Sequence, residues 1–370
     1  MLFASPVHQI LDLARWAPSG DNSQPWRFEV LDAQRFVIHG QDTRDHSVYD
    51  LDGRPTQISL GALIETASIA ASAHGLALQV TRRLGLPESQ PTFDVTLLPQ
   101  PQLAPSPLLG AIPARSVQRR PLSSRPLSAD ERQALEAAVG RDHEVLWFSG
   151  WAERLRWAWL WWMTAGLRLR LPEAFEEHKR AIQWETRFSP DRLPDQALGV
   201  DKLTITLMRR AMTSWERIDF LNTWLGATIA PRIQMDLIPA LACAAHVAIL
   251  ARHAPQTVDD HVAGGRAVQR FWLTTTRLGL QHQPALTPLV FARFVREDRE
   301  FTPHEPSLAA ARRVAGLLDE LLCGQSPRGV WLGRIGHGPA ALARSIRKPP
   351  RALMATAAEP AAMPGSTDRS

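Results

Sequence analysis

Two long helical segments of this chain carry glycines at the same spacing. In the first, Gly61 lies 14 positions before Gly75, and in the second, Gly265 lies 14 positions before Gly279. In both segments the later glycine ends the helix, as glycine commonly does, and a strand-like segment follows. A proline-rich stretch separates the two units. The repeat predicts two related halves that pack together as a pseudo-dimer within one chain.

Hydrophobic periodicity and capping signals place the other elements. The predicted helices are Val7–Ala17, Thr56–His74, Ser128–Val139, Trp151–Leu171, Met235–Arg252, Val258–Leu278 and Ser307–Leu322. The predicted strands are Trp26–Leu31, Arg35–His39, Leu76–Leu84, Thr92–Leu98, Glu144–Phe148 and Gly329–Gly336. The third helix opens with the capping box Ser128-Ala129-Asp130-Glu131.

Five prolines between Pro99 and Pro113 indicate an extended connector. We therefore expect a first half over residues 1–108 and a second half over residues 109–349. Residues Pro172–Arg217 are polar and broken by proline, which predicts an irregular segment. Residues 350–370, rich in alanine and proline towards the end, predict a disordered tail.

Composition narrows the class of protein. Of the 370 residues, 45% are hydrophobic and 21% charged, which is typical of a globular protein with a sizeable core. No apolar run of about 18 residues predicts a membrane span, and the first residues lack the pattern of a signal peptide, so we expect a cytoplasmic protein. Cys243 and Cys323 both lie in apolar segments and predict buried free thiols, and no metal-ligand motif occurs.

A loop of turn formers and polar side chains connects the first helix to the first strand. Its sequence is Ala17-Pro18-Ser19-Gly20-Asp21-Asn22-Ser23-Gln24-Pro25-Trp26-Arg27-Phe28. Pro18, Gly20 and Asn22 favour a tight turn with positive φ. Composition alone favours an ordinary helix-to-strand connection. The pattern nevertheless resembles the flavin-contacting loop of the nitroreductase family, which binds flavin mononucleotide (FMN), and this resemblance implies that Ser19, Asn22 and Gln24 contact the cofactor.

Basic residues follow the connector and return near the end of the chain. A solvated basic face is one reading of both stretches, and the net charge of +5 is too dispersed to predict nucleic-acid binding. The alternative is a phosphate site, since forked guanidinium groups suit an anion. The resemblance favours the phosphate site and implies that the FMN phosphate is held by Arg115, Ser116, Val117, Arg119, Arg344, Ser345 and Arg347.

The segment after Gly279 carries the last motif. In nitroreductases the loop at this place approaches the isoalloxazine ring, where a backbone amide can donate to N5. The resemblance makes Gln283, Pro284 and Ala285 the candidates for this contact. A simple turn before a strand is the other reading.

The four motifs occur in the order that nitroreductases have. The resemblance implies an α+β nitroreductase-like fold, in which each half has a mixed or antiparallel sheet flanked by helices. The first half supplies the loop and the second half supplies the phosphate residues, which is similar to the fused-dimer, Acg-like branch with one complete site per chain. That branch carries an insertion that covers the flavin as a lid, here residues 151–219.

Tryptophans begin that insertion. Trp157, Trp159, Trp161 and Trp162 are expected to anchor it. Their mixture with arginines also fits a helix that lies on a membrane surface, although no clean polar face results.

The resemblance implies an FMN-dependent oxidoreductase that passes electrons from NADH or NADPH to a small-molecule acceptor. In such enzymes the cofactor carries the chemistry and the protein orients it, so no catalytic side chain is assigned. A flavin-binding or storage protein with an occluded site is the alternative, and a tailoring dehydrogenase of a biosynthetic pathway is a third. We expect no nucleic-acid partner, and either a monomeric pseudo-dimer or a weak homo-oligomer.

Overall fold

The computed structural model describes residues 5–355, which form two four-stranded antiparallel sheets, two short two-stranded ones and thirteen α-helices. The strands are β1 (Trp26–Val30), β2 (Arg35–Gly40), β3 (Leu76–Arg82), β4 (Thr92–Pro99), β5 (His143–Ser149), β6 (Ile182–Gln183), β7 (Phe188–Ser189), β8 (Leu193–Pro194), β9 (Ala245–Ala251), β10 (Leu280–Pro284), β11 (Gly329–His337) and β12 (Arg344–Ser345). The helices are α1 (Pro6–Ala14), α2 (Arg54–Ser72), α3 (Ala111–Ala114), α4 (Ala129–Val139), α5 (Trp151–Arg168), α6 (Pro172–Ala181), α7 (Lys202–Ala211), α8 (Trp215–Trp224), α9 (Ile229–Arg232), α10 (Ile238–Leu241), α11 (Val258–Arg277), α12 (Thr287–Arg296) and α13 (Glu305–Leu321). The predicted α+β class is confirmed.

The two large sheets have the same strand order. The first is ordered β1-β2-β4-β3 and the second β10-β11-β9-β5. When the strands of each sheet are numbered along the chain, the first order is 1-2-4-3 and the second is 3-4-2-1, which is the same order read from the opposite edge. A helix precedes the first strand of each sheet, α1 or α4, and a long helix joins the second strand to the third, α2 or α11. This shared order is the pattern that an internal duplication produces.

The two long helices cross at the glycines of the repeated spacing. A Cβ atom on Gly61 would lie 2.0 Å from the carbonyl oxygen of Val262, and one on Gly265 would lie 1.9 Å from the carbonyl oxygen of Ile58. Both distances are far below van der Waals contact, so only glycine allows the backbones of α2 and α11 to approach this closely. The glycine spacing therefore marks the junction between the two sheets.

Polar contacts fix the register of this crossing. The Glu65 carboxylate accepts from Arg266 Nε at 2.8 Å and from Arg270 Nη1 at 3.1 Å. Gln269 Nε2 donates to Thr66 Oγ1 at 2.9 Å in the buried interface. These bonds pair most of the polar groups at the crossing, whereas the buried Oε1 atom of Gln269 has no hydrogen-bond partner among the described residues.

The prediction of one helix over Met235–Arg252 is wrong, because its second half is the inner strand β9. One face of β9 packs Val247 and Ile249 against α4 and α11, and the other face packs Ala248 and Leu250 against α5, α12 and α13. A strand buried on both faces has a continuous apolar run, which periodicity does not distinguish from a buried helix.

The segment between β5 and β9, residues 150–244, is called the insertion below. The strands at the same place in the first sheet, β1 and β2, are joined by only four residues. The prediction that Pro172–Arg217 is irregular is wrong in part, because α6, α7 and the start of α8 lie within it. Trp157 and Trp161 are buried and anchor α5 against the second sheet, whereas Trp159 is exposed.

The predicted tail, residues 350–370, begins too early. Residues Pro350–Leu353 form a 3-10 turn, Leu353 is buried in the core of the first sheet, and the amide of Ala355 donates to the Phe28 carbonyl at 2.7 Å. Residues 356–370 lie outside the described part of the chain.

One of the two cysteine predictions is also wrong. Both thiols are free, but Cys243 is buried and Cys323 is exposed, because Cys323 follows the last turn of α13 with a positive φ of 50°. Within residues 5–355, no helix combines the length and apolar character that a bilayer crossing requires.

Candidate functional site

A cavity of about 1730 Å³ is lined by residues of the insertion and by segments that adjoin both large sheets. A pocket for one small ligand typically has about 300–1,000 Å³, so this cavity has room for two molecules. Twelve of the thirteen residues predicted from the sequence line it. They are Ser19, Asn22, Arg115, Ser116, Val117, Arg119, Gln283, Pro284, Ala285, Arg344, Ser345 and Arg347.

The loop at residues 18–25 forms one wall and carries backbone strain. Positive φ angles occur at Asp21 (46°), Asn22 (62°) and Gln24 (52°). Gly20, which the sequence suggested for this conformation, does not have one. Non-glycine residues in this region of φ/ψ space are costly and concentrate at ligand sites. The buried Oδ1 atom of Asn22 has no hydrogen-bond partner among the described residues.

Gln24 lies behind the cavity wall and supports the loop. Its Nε2 donates to the carbonyls of Asn22 at 3.0 Å and Pro190 at 2.9 Å. Its Oε1 accepts from the Lys348 amide at 3.0 Å. The side chain is buried and connects the loop, the insertion and the C-terminal segment, so the structure assigns it to the support of the wall and not to its surface.

Three arginines form one corner of the cavity: Arg115 and Arg347 are buried, and Arg344 is half-buried. Arg115 Nη2 donates to the Trp16 carbonyl at 2.8 Å, and its guanidinium lies 4.5 Å above the Trp272 ring. Arg347 donates to the Ala17 carbonyl at 2.9 and 3.1 Å, and Arg344 donates to the Arg115 carbonyl at 3.0 Å. Within residues 5–355, none of the three arginines forms an ion pair with a carboxylate.

The electrostatics of this corner are unfavourable without a ligand. Burial, followed by the charges of Arg347 and Arg344, lowers the pKa of Arg115 well below its ordinary value. Burial and then Arg344 and Arg15 lower the pKa of Arg347 to about 9, which leaves it charged at neutral pH. The buried Nε atoms of Arg115 and Arg344 have no partner among the described residues. Uncompensated buried charge is costly, so this corner is suited to an anion.

A fourth arginine, which the sequence analysis did not identify as a site residue, holds two of the motifs together. Arg334 on β11 donates to the carbonyls of Arg119 and Arg120, both at 2.8 Å, and to Gln283 Oε1 at 2.7 Å. Burial is the main cause that lowers its pKa to about 10. Arg334 therefore connects the backbone of the first basic segment to the end of β10.

The end of β10 differs from the predicted loop. Gln283 and Pro284 belong to the strand, and the Ala285 amide already donates to the Leu332 carbonyl at 2.9 Å. Pro284 has no N–H group. Two of the three candidates therefore have no free backbone amide for a ligand.

The C-terminal segment is hydrogen-bonded to the insertion. Ser345 Oγ donates to the Arg192 carbonyl at 2.8 Å, and β12 pairs with β7. The Arg119 guanidinium also reaches the insertion, at the Ala197 carbonyl, 3.2 Å away. The insertion thus contacts two of the basic motifs directly, and α7 and α8 contribute Leu207, Met208 and further apolar residues to the cavity wall.

A second polar cluster lines the cavity where α6 meets residues 43–50. Ser47 Oγ donates to Glu177 Oε1 at 2.5 Å, and the Tyr49 hydroxyl lies 3.2 Å from His178 Nε2. Burial, followed by the charge of Asp21, raises the pKa of Glu177 to about 7. Burial and then Arg168 lower the pKa of His178 to about 3, so this histidine is neutral.

No sequence motif predicted this second cluster. Its residues lie in two segments that carry no recognised motif, and they are separated by about 130 positions. The only local signal was that the single tyrosine of the chain, Tyr49, occurs in a polar loop rich in aspartate.

The chain is similar to two proteins of Mycobacterium tuberculosis, one of strain CDC 1551 and one of strain H37Rv, both named provisionally as NAD(P)H nitroreductases. Each is 28% identical to this chain over 147 residues. The match covers 39% of this chain and 42% of each relative, so the chain spans less than half the length of the relatives it matches. No protein-family model matches the sequence. The similarity relates part of this chain to proteins that are named as nitroreductases.

Proposed function

We propose that this protein binds FMN in the 1730 Å³ cavity and passes electrons from NADH or NADPH to a small-molecule acceptor. The observation that carries the proposal is the corner formed by Arg115, Arg344 and Arg347. Three guanidinium groups without a carboxylate partner, two of them on buried arginines, favour a dianion, and the FMN phosphate is a dianion. The names of the two mycobacterial relatives support the nicotinamide donor.

The residues present fit FMN. Arg115, Arg344 and Arg347 would hold the phosphate, with unpartnered Nε atoms on the first two. Asn22, whose buried Oδ1 lacks a partner, would accept from a donor on the polar edge of the ring. Trp272 would add an apolar wall. When bound, FMN accepts a hydride from the reduced nicotinamide and delivers it to the acceptor.

We further propose that the chain is a pseudo-dimer of the fused type with one complete site. The equal strand orders and the glycine crossing of α2 and α11 support the duplication. The strained loop comes from the first half and the arginine corner from the second. Because neither half carries both motifs, this arrangement provides one FMN site per chain.

A flavin-binding or storage protein is the second candidate. The observation that favours it is the extent of the insertion in the cavity wall, since α6, α7 and α8 all contribute residues. A wall that covers the ring would exclude the nicotinamide while it leaves the phosphate contacts intact.

The two candidates are separated by one anaerobic experiment. The FMN-loaded protein is mixed with NADH and, separately, with NADPH, and the flavin absorbance near 450 nm is followed. We expect one of the two donors to bleach the flavin. Bleaching by dithionite alone, with neither nicotinamide effective, would contradict the oxidoreductase function and favour storage.

A further inference from the structure

Helix α6 of the insertion places a carboxyl group at the cavity. One of its oxygens accepts a hydrogen bond, and the other has no hydrogen-bond partner among the described residues. Glu177 Oε1 accepts from Ser47 Oγ at 2.5 Å. Its second oxygen, Oε2, is buried and has no hydrogen-bond partner among the described residues. A buried carboxyl oxygen that lacks a donor is stable when it carries a proton itself. Glu177 is one of the residues that line the cavity, which has room for a second molecule beside FMN.

The contacts around Glu177 hold it in place. Arg180, one turn along α6, donates to the His46 carbonyl, and the neighbouring His178 is 3.2 Å from the Tyr49 hydroxyl. These contacts and the Ser47–Glu177 hydrogen bond attach α6 to residues 43–50. The carboxyl group is therefore fixed relative to the first half, as a group that transfers a proton has to be.

We propose that Glu177 donates the proton that accompanies reduction of the acceptor, a role that rests on the oxidoreductase function proposed above. FMN held by Arg115, Arg344 and Arg347 would supply the acceptor with a hydride, which carries two electrons and which the nicotinamide would have provided. The O–H bond at Glu177 Oε2 breaks, and a new bond between that proton and the acceptor forms. Glu177 is left as a carboxylate and takes a proton back from solvent.

The charges that face Glu177 set the pH range of this step. Burial and the Asp21 carboxylate favour its protonated form, while the Ser47 hydroxyl, Arg180 and the Val48 amide favour its carboxylate. Tyr49 and His178 are neutral near pH 7, because burial raises the pKa of the tyrosine and lowers that of the histidine. The balance leaves Glu177 with a pKa of about 7, where a proton donor works efficiently.

The first test compares two electron acceptors. p-Benzoquinone takes up protons when it is reduced to hydroquinone, whereas ferricyanide takes up electrons alone. In Glu177→Gln, which retains an oxygen for the Ser47 hydroxyl, we expect benzoquinone turnover at pH 7 to fall about 10²-fold or more and ferricyanide turnover to stay at the wild-type level. Glu176→Gln, the exposed neighbour on α6, is the matched control and should change neither rate.

The second test does not depend on activity. A ¹³C NMR titration of the full chain with labelled glutamate should show one carboxyl group that titrates near pH 7. This signal should be present in Glu176→Gln, absent in Glu177→Gln and shifted to lower pH in Asp21→Asn, because the Asp21 charge is removed.

The outcomes distinguish this role from the function on which it rests. A wild-type protein that reduces neither acceptor would overturn the proposed function and the role together. A protein that reduces both, with an unchanged ratio of the two rates in Glu177→Gln, would overturn the role of Glu177 alone. A Glu177 carboxyl that titrates near pH 4 would also overturn it.

Discussion

The substitution Arg115→Met separates anion binding from folding. Arg115 is 4% exposed, and its guanidinium donates to the Trp16 carbonyl at 2.8 Å. Methionine is unbranched and apolar and fills irregular gaps well. The Trp16 carbonyl keeps a donor in the variant, because Arg347 Nη2 lies 3.3 Å from it. The substitution therefore removes a charge without leaving a buried carbonyl unpaired.

The expected effects on ligand affinity and on stability differ. Loss of one charge-assisted hydrogen bond to a phosphate costs about 1.5–3 kcal/mol, which corresponds to an FMN affinity about 10- to 150-fold lower. In the unliganded protein, the same charge is buried beside Arg344 and Arg347. Its replacement by an apolar side chain should leave the Tm of the unliganded protein unchanged or raise it.

Both quantities are measurable on one preparation. FMN affinity is obtained from quenching of flavin fluorescence on titration with the unliganded protein, and Tm from thermal unfolding with and without FMN. Arg312→Met, at an exposed position on α13, removes the same charge away from the cavity and should alter neither quantity. An unchanged FMN affinity in Arg115→Met would refute the assignment of this corner to a phosphate. A Tm that falls by several degrees without FMN would refute the argument from uncompensated charge.

Three other predictions concern stability and access. Gly265→Ala should lower the free energy of unfolding, measured by urea titration, by about 1–3 kcal/mol or more, because the new Cβ would lie 1.9 Å from the Ile58 carbonyl oxygen. The control Gly316→Ala in α13, which has open space around it, should be neutral or stabilising in the same titration. The urea midpoint should decrease as the pH is lowered from 6.5 to 5, because the unfolded chain binds more protons than the folded one at the buried histidines. The raised pKa values of Glu177 and Asp236 offset part of this loss of stability. Burial lowers the pKa of these histidines to about 3 or 4, and they are His178, His246, His261 and His282. A urea midpoint that rises as the pH is lowered to 5 would contradict this account of proton binding. Limited proteolysis of the described part should cut first within residues 199–229. Dithionite should then reduce the flavin of the cleaved protein faster than that of the intact protein. A first cut in α2 or α11 would show that α7 and α8 are not the more accessible elements.

Motifs with a local sequence signature come together in the structure. The strained loop and the arginines at positions 115, 344 and 347 line one cavity, although 330 positions separate Arg347 from the Ala17 carbonyl that it contacts. The family resemblance brought them together, because no periodicity or spacing relates residues so far apart. The glycine spacing indicated the crossing of α2 and α11 for a physical reason, since close backbone approach requires glycine.

Features that depend on tertiary packing could not be predicted in this way. The strand β9 has a continuous apolar sequence because helices cover both faces of its sheet. The sequence of the strand alone does not show that these helices pack there. The pairing of Tyr49 with His178 and of Ser47 with Glu177 depends on where the insertion packs. The hydrogen bond from the Ala285 amide to the Leu332 carbonyl likewise depends on how the chain after β10 approaches β11.

The amount of FMN bound per chain tests the central claim most directly. The purified protein is saturated with FMN, freed of unbound ligand and denatured, and the released cofactor is identified by mass spectrometry and quantified by absorbance against protein concentration. One site built from the loop of the first half and the arginines of the second predicts one FMN per chain. Two FMN per chain would contradict the single composite site, and no FMN after saturation would contradict the assignment of the cavity to this cofactor.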